Sequence, residues 1–263
     1  MYYKRIKNLY NPELHDSAEP FKFSRSKLEN FTRCPRCFYL DRRLGVDQPP
    51  MPSFTLNSAV DTLLKKEFDI HRVKGTTHPL MKHYGIDAIP FSHEQMGEWR
   101  ENFVGIQYFH RPSNFIITGA VDDIWKDKDG KLIVVDYKAT SVNGEIDWDS
   151  EYKQSYRRQL EIYQWLLRRL GFEVSDIGYW VYANGRKDRE SFDGKLEFNV
   201  QIFDYKGSDQ WIEPAIMEAK KCLNGPLPPL NVKCDFCTYR KEASAVESSV
   251  EFGSKKGSNG KLF

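Results

Sequence analysis

The 263-residue sequence has no apolar run long enough to cross a membrane, and its first ten residues, MYYKRIKNLY, lack the apolar stretch of a secretory signal. We therefore expect a cytoplasmic protein without a membrane partner. An excess of one charge is also missing, because 39 Lys and Arg stand against 37 Asp and Glu, for a formal net charge of +2. Composition alone thus gives no sign of a nucleic-acid binder. No internal repeat is visible.

Cysteine is scarce, with five residues, yet four of them form two C-x-x-C pairs. Each pair offers two sulfurs from one turn and two pairs complete a tetrahedral set, which predicts one metal site at Cys34, Cys37, Cys234 and Cys237. Thiolates alone do not distinguish Zn²⁺ from a [4Fe–4S] cluster, and buried free thiols are the alternative to both. Disulfides are disfavoured because nothing directs the chain to an oxidising compartment. Cys222, on a predicted helix, is interpreted as a packing residue.

If the two cysteine pairs share one site, the chain between them forms one closed unit. With 40% hydrophobic and 14% aromatic residues the chain can bury a substantial core, so we predict a single domain over residues 21–241. Residues 1–20 are predicted to be flexible, and residues 242–263, rich in Ser, Gly and charge, to be a disordered tail. Residues 73–113 are interpreted as a helical insertion, and residues 234–241 as a C-terminal cysteine clasp.

A β-hairpin is predicted in the middle of the chain. Its arms, Phe115–Trp125 and Leu132–Ala139, are rich in Ile, Val and aromatic residues, and Lys-Asp-Gly at 128–130 is a turn signal. Both faces of each arm are mostly apolar, which indicates a central strand pair covered by helices on both sides.

The loop of this hairpin decides which polar residues meet. With a three-residue loop and Gly130 in the left-handed conformation, Asp122 lies opposite Asp136, and period-2 alternation places Lys138 on the same face. A two-residue loop would instead pair Asp122 with Tyr137.

Two carboxylates and a lysine in a partly desolvated position need a partner. Close carboxylates repel each other unless a cation lies between them, and hard oxygen ligands suit Mg²⁺ or Mn²⁺. The alternative is a structural ion pair of Lys138 with Asp136 or Asp122, but a pair needs only one acid. A metal accounts for both.

The motifs resemble a known family. Gly119-Ala-Val-Asp122 followed by Val135-Asp136-Tyr137-Lys138 resembles the GxxD and DxK core of the PD-(D/E)XK nuclease superfamily, specifically its RecB-like exonuclease branch. Gln159-Leu-Glu-Ile-Tyr163 resembles the Q-x-x-x-Y motif of that branch. Cys34-Pro-Arg-Cys and Cys234-Asp-Phe-Cys237 resemble the cysteine motifs of its CRISPR-associated exonucleases. The motifs occur in the family's order, which no single motif would establish.

The resemblance implies a restriction-endonuclease-like α/β core, with a mixed β-sheet flanked by helices and a terminal cysteine clasp. It also implies metal-dependent phosphodiester hydrolysis, in which Asp122, Asp136 and the Tyr137 carbonyl hold Mg²⁺ or Mn²⁺. Lys138 would then orient the attacking water and offset charge on the phosphate.

Gln159 and Tyr163 lie on a helix predicted at Glu151–Leu170. The resemblance implies that Gln159 positions water or the DNA backbone and that Tyr163 supports the same wall. The alternative is that both only pack the helix onto the sheet.

Two features depart from the family pattern. Where the branch often has a metal-binding histidine, this chain has Asp61, on a helix predicted over residues 56–68; Asp61 is a candidate metal ligand or a solvated helix residue. Related nucleases join one N-terminal cysteine to three C-terminal ones, whereas this chain offers two and two, since residues 240–244 contain none.

Basic residues cluster around the first cysteine pair and on the predicted helix at 151–170. They could neutralise phosphates, and ordinary solvated charges are the alternative. The basic residues are Arg33, Arg36, Arg42, Arg43, Lys153, Arg157, Arg158, Arg168 and Arg169.

Further predicted elements are strands at 177–182 and 196–203, a helix at 211–223, and a capping box of Ser26 with Glu29.

The sequence therefore predicts a metal-dependent deoxyribonuclease, exonucleolytic, acting on single-stranded DNA or free ends. Recombination, repair or CRISPR adaptation proteins are the expected partners. The alternative is a catalytically silent nucleic-acid-binding module with the same fold, which the replacement of a histidine by Asp61 favours. The intact Asp122, Asp136 and Lys138 argue against it, because repelling carboxylates do not help a protein that only binds phosphates.

Overall fold

The computed structural model describes residues 8–49, 55–144 and 150–254. Helices and strands alternate along these ranges. The helices are α1 (Pro12–His15), α2 (Arg25–Arg33), α3 (Pro35–Arg42), α4 (Thr55–Lys74), α5 (Pro79–His83), α6 (Met96–Trp99), α7 (Glu151–Arg169), α8 (Ile212–Asn224) and α9 (Asp235–Ser254). The strands are β1 (Phe21–Ser24), β2 (Ala88–Pro90), β3 (Ile106–His110), β4 (Phe115–Gly119), β5 (Asp123–Asp127), β6 (Leu132–Thr140), β7 (Ile177–Gly185) and β8 (Phe198–Lys206).

The strands form two sheets with mixed strand directions. The first has the order β1-β4-β3, with β1 parallel and β3 antiparallel to β4. The second has the order β2-β5-β6-β7-β8, in which only β6 and β7 are parallel. The predicted α/β architecture with a mixed sheet flanked by helices is confirmed.

The hairpin register follows the three-residue loop. Asp123 pairs with Val135 and Lys126 with Leu132, and Gly130 has φ +87°, which is the left-handed conformation of the turn. The first predicted arm is divided, however. Its N-terminal half is β4 of the small sheet and its C-terminal half is β5 of the large sheet, so the chain changes sheets between Gly119 and Asp123. Asp122 lies at this change of sheet, just before β5.

Helices cover both faces of the large sheet, as the apolar arms indicate. On one face Leu132 and Val134 of β6 belong to the same buried cluster as Leu160 of α7. On the other face Ile133, Val135 and Tyr137 pack with Leu64 and Phe68 of α4. Alternate residues of β6 thus face two different helices. Asp136 and Lys138 therefore lie on the same side as Val134, which faces α7.

Two terminal predictions need correction. The described part of the predicted flexible segment contains α1 and Tyr10, which is 1% exposed and packs against Phe21 and Phe115. Aromatic burial therefore anchors residues 8–20, while residues 1–7 lie outside the described ranges. After Lys241, where we predicted a disordered tail, α9 continues to Ser254, and residues 242–247 include Glu and Ala, which form helix readily. Residues 255–263 lie outside the described ranges.

Residues 73–113 are not a helical insertion. They contain the short helices α5 and α6, but also β2, which pairs with β5, and β3, which pairs with β4. The segment therefore supplies one strand to each sheet. Its short strands, three and five residues long, give too little alternation for a sequence-based prediction.

The predicted capping box is also absent. α2 begins at Arg25 after Ser24, and Glu29 is paired with Arg158 of α7 through two hydrogen bonds of 2.8 Å. Pro35 opens α3, and the other predicted elements match β7, β8, α7 and α8 to within a few residues. Within the described ranges, no helix combines the length and apolar character that a membrane span requires.

Candidate active site

Asp122, Asp136 and Lys138 meet on the α7 side of the large sheet. Asp136 is fully buried, and Lys138, two residues further along β6, contacts its carboxylate. Asp122 accepts a hydrogen bond of 3.0 Å from the Tyr137 backbone N–H, and its carboxyl group is within hydrogen-bonding reach of Asp136. The predicted clustering of the three side chains is therefore found.

Asp136 is the least satisfied member of this group. Neither of its carboxylate oxygens accepts a hydrogen bond from the described residues, although Lys138 lies close enough for an ion pair. Burial raises the pKa of Asp136 to about 7; Lys138 opposes the rise and the neighbouring Asp122 adds to it. A buried carboxylate that lacks hydrogen-bond donors is one that a cation would stabilise.

The pKa of Asp122 shifts in the opposite direction. Burial raises its pKa, but Lys138, Lys65 and the Tyr137 N–H together lower it below the ordinary value. The two acids thus have environments that separate their pKa values, a feature typical of functional sites. The donor set, two close carboxylates, fits Mg²⁺ or Mn²⁺.

Gln159 and Tyr163 extend the site along α7. The Gln159 side-chain oxygen accepts from the Lys138 ammonium at 3.4 Å, and its amide group donates to the Tyr163 hydroxyl at 3.1 Å. Tyr163 lies directly over Gly119, where a Cβ atom would be 2.7 Å from the tyrosine ring. The glycine of the GxxD pattern therefore makes room for the aromatic ring of the Q-x-x-x-Y pattern.

Asp61 belongs to the same group of charges. It lies on α4, and Lys65, one turn further along, bridges Asp61 Oδ2 at 2.9 Å and Asp122 Oδ1 at 3.1 Å. Burial and the charge of Asp122 raise the pKa of Asp61. α4 is held near β6 by Asn57, which donates to the Ala139 carbonyl at 2.9 Å. Asp61 thus lies beside the hairpin acids and not on a separate solvated face.

A second charged cluster lies behind the first. Asp123 is fully buried and its two oxygens accept from the Tyr137 hydroxyl at 2.6 Å, from Arg100 at 3.0 Å and from Arg72. Both arginines also bind Asp69 of α4. We call the residues Asp69, Arg72, Arg100, Asp123 and Tyr137 the arginine cluster; it ties α4 and α6 to β5 and β6.

Arg25 is a site residue that no motif contained. It is the first residue of α2 and lies near the Tyr163 hydroxyl and Asp136; burial lowers its pKa, but these two neighbours raise it above the ordinary value. Lys65 was missed as well, although Asp61 and Lys65 stand four residues apart on a helix, a spacing that favours ion pairs. For Arg25 the sequence carried no comparable signal, because β1 and α2 reach the site through tertiary packing.

Most of the basic residues predicted to bind phosphate have protein partners. Arg158 binds Glu29, Arg168 binds Asp176 and Asp209, and Arg169 binds Glu213. Around the first cysteine pair, three arginines bond to backbone carbonyls: Arg36 to Pro228, Arg42 to Asn8 and Arg43 to Tyr10. These contacts hold the domain together, so they do not single out a phosphate-binding surface.

The four predicted cysteine ligands meet at the terminal clasp. Cys34 precedes α3 as its N-cap and Cys37 lies in its first turn, while Cys234 and Cys237 occupy the same places around the start of α9. Their sulfur atoms all lie within 4.8 Å of one another, and three sulfur pairs are 3.7 Å apart. This group could hold a metal ion. Cys222 lies outside it, on α8, as predicted.

Comparison with known proteins adds a family match. The family model of the PD-(D/E)XK nuclease superfamily matches residues 82–241, more than half of the chain. The matched range contains the hairpin acids and α7 but not Asp61, Lys65 or the first cysteine pair.

No curated protein matches the chain. Ten chains of solved structures match. One of these, titled "Crystal structure of SSO0001", is 18% identical over 83% of this chain and 84% of its own, with a TM-score of 0.37. That likeness carries no functional conclusion.

Proposed function

The chain belongs to the PD-(D/E)XK nuclease superfamily, and we propose that it is a deoxyribonuclease that uses Mg²⁺ or Mn²⁺ and belongs to the RecB-like exonuclease branch. One observation carries the proposal: the two acids, Asp122 and Asp136, lie close together, and Asp136 is fully buried beside Lys138. A structural ion pair with Lys138 needs one acid, whereas a metal site uses both.

The metal ligands in this proposal are Asp122, Asp136, the Tyr137 carbonyl and Asp61. A divalent cation, when bound there, polarises a phosphate and lowers the pKa of a coordinated water. Asp61 supplies oxygen where the family's histidine would supply nitrogen, and hard cations accept that exchange.

The remaining residues act on substrate and water. Lys138 places its ammonium beside Asp136, where it can orient the attacking water and offset negative charge on the phosphate. Gln159 accepts from Lys138 and donates to Tyr163, so it fixes the direction of the lysine side chain. Arg25 adds a positive charge on the same side of the cleft.

A cleavage assay tests this proposal. End-labelled linear and circular DNA, single- and double-stranded, is incubated with Mn²⁺, Mg²⁺ or EDTA. Lys138→Ala should lower cleavage by about 10²–10³-fold, the loss typical of one transition-state donor. Lys131→Ala, which removes an exposed lysine from the same hairpin, should retain wild-type activity. Shortening of linear DNA with circles left intact indicates an exonuclease.

A silent nucleic-acid-binding module is the second candidate. The observation that favours it is Lys65, an ammonium that engages both Asp61 and Asp122 where a catalytic protein needs open carboxylates. DNA binding without cleavage under every metal condition would select this candidate over the nuclease.

For the cysteine site we propose a single Zn²⁺ ion. Zn–S bonds of about 2.3 Å in a tetrahedron place neighbouring sulfurs about 3.8 Å apart. Three of the sulfur pairs are 3.7 Å apart, and all four sulfurs lie within 4.8 Å. In a [4Fe–4S] cluster each cysteine binds a different iron, so the sulfurs must lie farther apart than the ligands of one ion.

Metal analysis and visible absorption of the purified protein test this assignment. We expect one zinc per chain and no absorption band of an iron–sulfur cluster. Cys37→Ser should lower the zinc content, whereas Cys222→Ser, outside the group, should not. Stoichiometric iron with visible absorption would contradict the zinc proposal but leave the nuclease proposal intact.

A further inference from the structure

Lys65 is a second lysine among the acids of the cleft, and no family motif identified above includes it. It lies on α4, and its side chain is 22% exposed. Its ammonium binds Asp61 Oδ2 at 2.9 Å and Asp122 Oδ1 at 3.1 Å. A helix residue therefore reaches an acid of the hairpin 57 positions away along the chain.

This contact is possible because of where Asp122 lies. β2 pairs only with Trp125–Asp127 of β5, so Asp122 stands beyond the end of the neighbouring strand and is accessible from α4. Its other oxygen, Oδ2, accepts the Tyr137 N–H at 3.0 Å. Both oxygens of Asp122 are thus engaged, one by a fixed backbone donor and one by a side chain that can move.

The same oxygens are the ones that a divalent cation needs. The Tyr137 N–H is part of the sheet backbone, whereas the Lys65 ammonium sits on a flexible four-carbon stem. We therefore expect a metal that binds Asp61 and Asp122 through these oxygens to displace the mobile Lys65 ammonium. A lysine ammonium and a metal ion on the same carboxylate oxygens repel each other at close range.

We propose that Lys65 is a resident counter-ion of the metal site, which competes with the divalent cation for Asp61 and Asp122 and thereby sets the metal affinity. The inference rests on the proposed metal site. It makes Lys65 a positioning residue: it holds the two acids in place without metal and is displaced when metal binds. Free metal concentration then decides whether the site is in its lysine-bound or its metal-bound form.

Direct measurement of Mn²⁺ binding tests this inference, by electron paramagnetic resonance or calorimetry on the full chain without DNA. Lys65→Met should bind Mn²⁺ about tenfold more tightly than wild type, because the competitor is removed while the stem volume is kept. Lys66→Met is the matched control: it removes the same charge from an exposed neighbour on α4 and should change the affinity less than twofold. The Mn²⁺ concentration for half-maximal cleavage should fall with the dissociation constant.

Circular dichroism shows whether Lys65→Met is folded. A second variant, Lys65→Gln, removes the same charge with a different side chain. Tighter Mn²⁺ binding by either folded variant supports the inference. Equal or weaker binding by both, with wild type still binding Mn²⁺, overturns it and leaves the proposed function standing. Absence of Mn²⁺ binding in wild type and variants overturns the metal site itself, and the inference with it.

Discussion

Asp122 and Asp123 are neighbours in the chain, yet they belong to two charged clusters of opposite character. Asp123 points to the α4 face, where two arginines, a tyrosine hydroxyl and a backbone N–H occupy its oxygens. Asp122 lies beside Asp136, which is paired with Lys138 and whose oxygens accept no hydrogen bond from the described residues. The arginine cluster thus has its acid fully paired, whereas Asp122 and Asp136 form the candidate cation site.

One hairpin therefore carries two aspartates with different roles. Adjacent strand residues face opposite sides, so one step along the chain separates a structural aspartate from a candidate metal ligand. Tyr137 connects the two sides, because its hydroxyl donates to Asp123 while its backbone N–H donates to Asp122. The arginine cluster thus holds β6 in place, and β6 is the strand that carries Asp136 and Lys138.

Substitution of the two aspartates should change the free energy of unfolding by different amounts. Asp123→Ala leaves Arg72 and Arg100 with Asp69 as their remaining acid, and we expect a loss of about 3–5 kcal/mol in the free energy of unfolding. Asp122→Ala should lose about 1 kcal/mol or less, since Lys65 keeps Asp61 as a partner. Urea denaturation in EDTA measures both. Equal losses would break the distinction between the two clusters.

Metal binding should stabilise the folded protein through Asp122 and Asp136 and not through the arginine cluster. At about 100 times its dissociation constant, Mn²⁺ is expected to raise the free energy of unfolding by about 2.7 kcal/mol in wild type. Asp122→Ala should lose most of this gain, whereas Asp129→Ala, in the exposed hairpin turn, should keep it. Thermal unfolding with and without Mn²⁺ provides the comparison; an undiminished gain in Asp122→Ala would place the metal elsewhere.

The close packing of Gly119 against Tyr163 should make substitutions of this glycine destabilising. Gly119→Ala introduces a Cβ atom 2.7 Å from the Tyr163 ring, and relief of this overlap should cost about 1–3 kcal/mol and reduce cleavage by displacing Gln159. Gly97→Ala, on α6, meets no atom within 4 Å and should be neutral or slightly stabilising. Chemical denaturation and the cleavage assay measure the two variants side by side. Wild-type activity in Gly119→Ala would remove Tyr163 from the site.

The stability of the metal-free protein should also depend on pH through Asp136. Asp136 has a raised pKa of about 7 when folded, against 3.8 for the free side chain. The folded state therefore holds an extra proton between about pH 4 and pH 7, so the stability from this group is full below pH 4 and is lost as the pH rises to 7. Relative to Asp136→Asn, metal-free wild type should lose on the order of 1 kcal/mol or more across this range.

Denaturation midpoints at several pH values in EDTA provide the measurement. A constant difference between wild type and Asp136→Asn would mean that Asp136 is charged throughout this pH range.

Much of the site followed from the sequence because its signals are local. The Lys-Asp-Gly turn fixed the hairpin register, which in turn placed Asp122, Asp136 and Lys138 together. The C-x-x-C spacing likewise identified two halves of one cysteine group, which the structure brings within 4.8 Å. The predicted helix carrying Gln159 and Tyr163 is present as α7.

Other features could not be predicted because they depend on contacts between distant segments. Burial of Tyr10 orders the described N-terminal residues that composition suggested were flexible. The arginine cluster joins Arg72 and Arg100 to Asp123 across 51 and 23 positions of sequence. The predicted capping box was wrong because Glu29 accepts a hydrogen bond from Arg158 of α7.

Sequence signals sufficed for Asp122, Asp136, Lys138 and the cysteine pairs, since strand alternation, turn geometry and motif order operate over a few residues. The charge environment of these groups depends instead on tertiary packing. Desolvation of Asp136, the bridge from Lys65 to Asp122 and the approach of Arg25 all arise where helices from distant parts of the chain pack against one sheet. Burial and Coulomb interaction depend on distances in space, and those distances exist only in the folded chain.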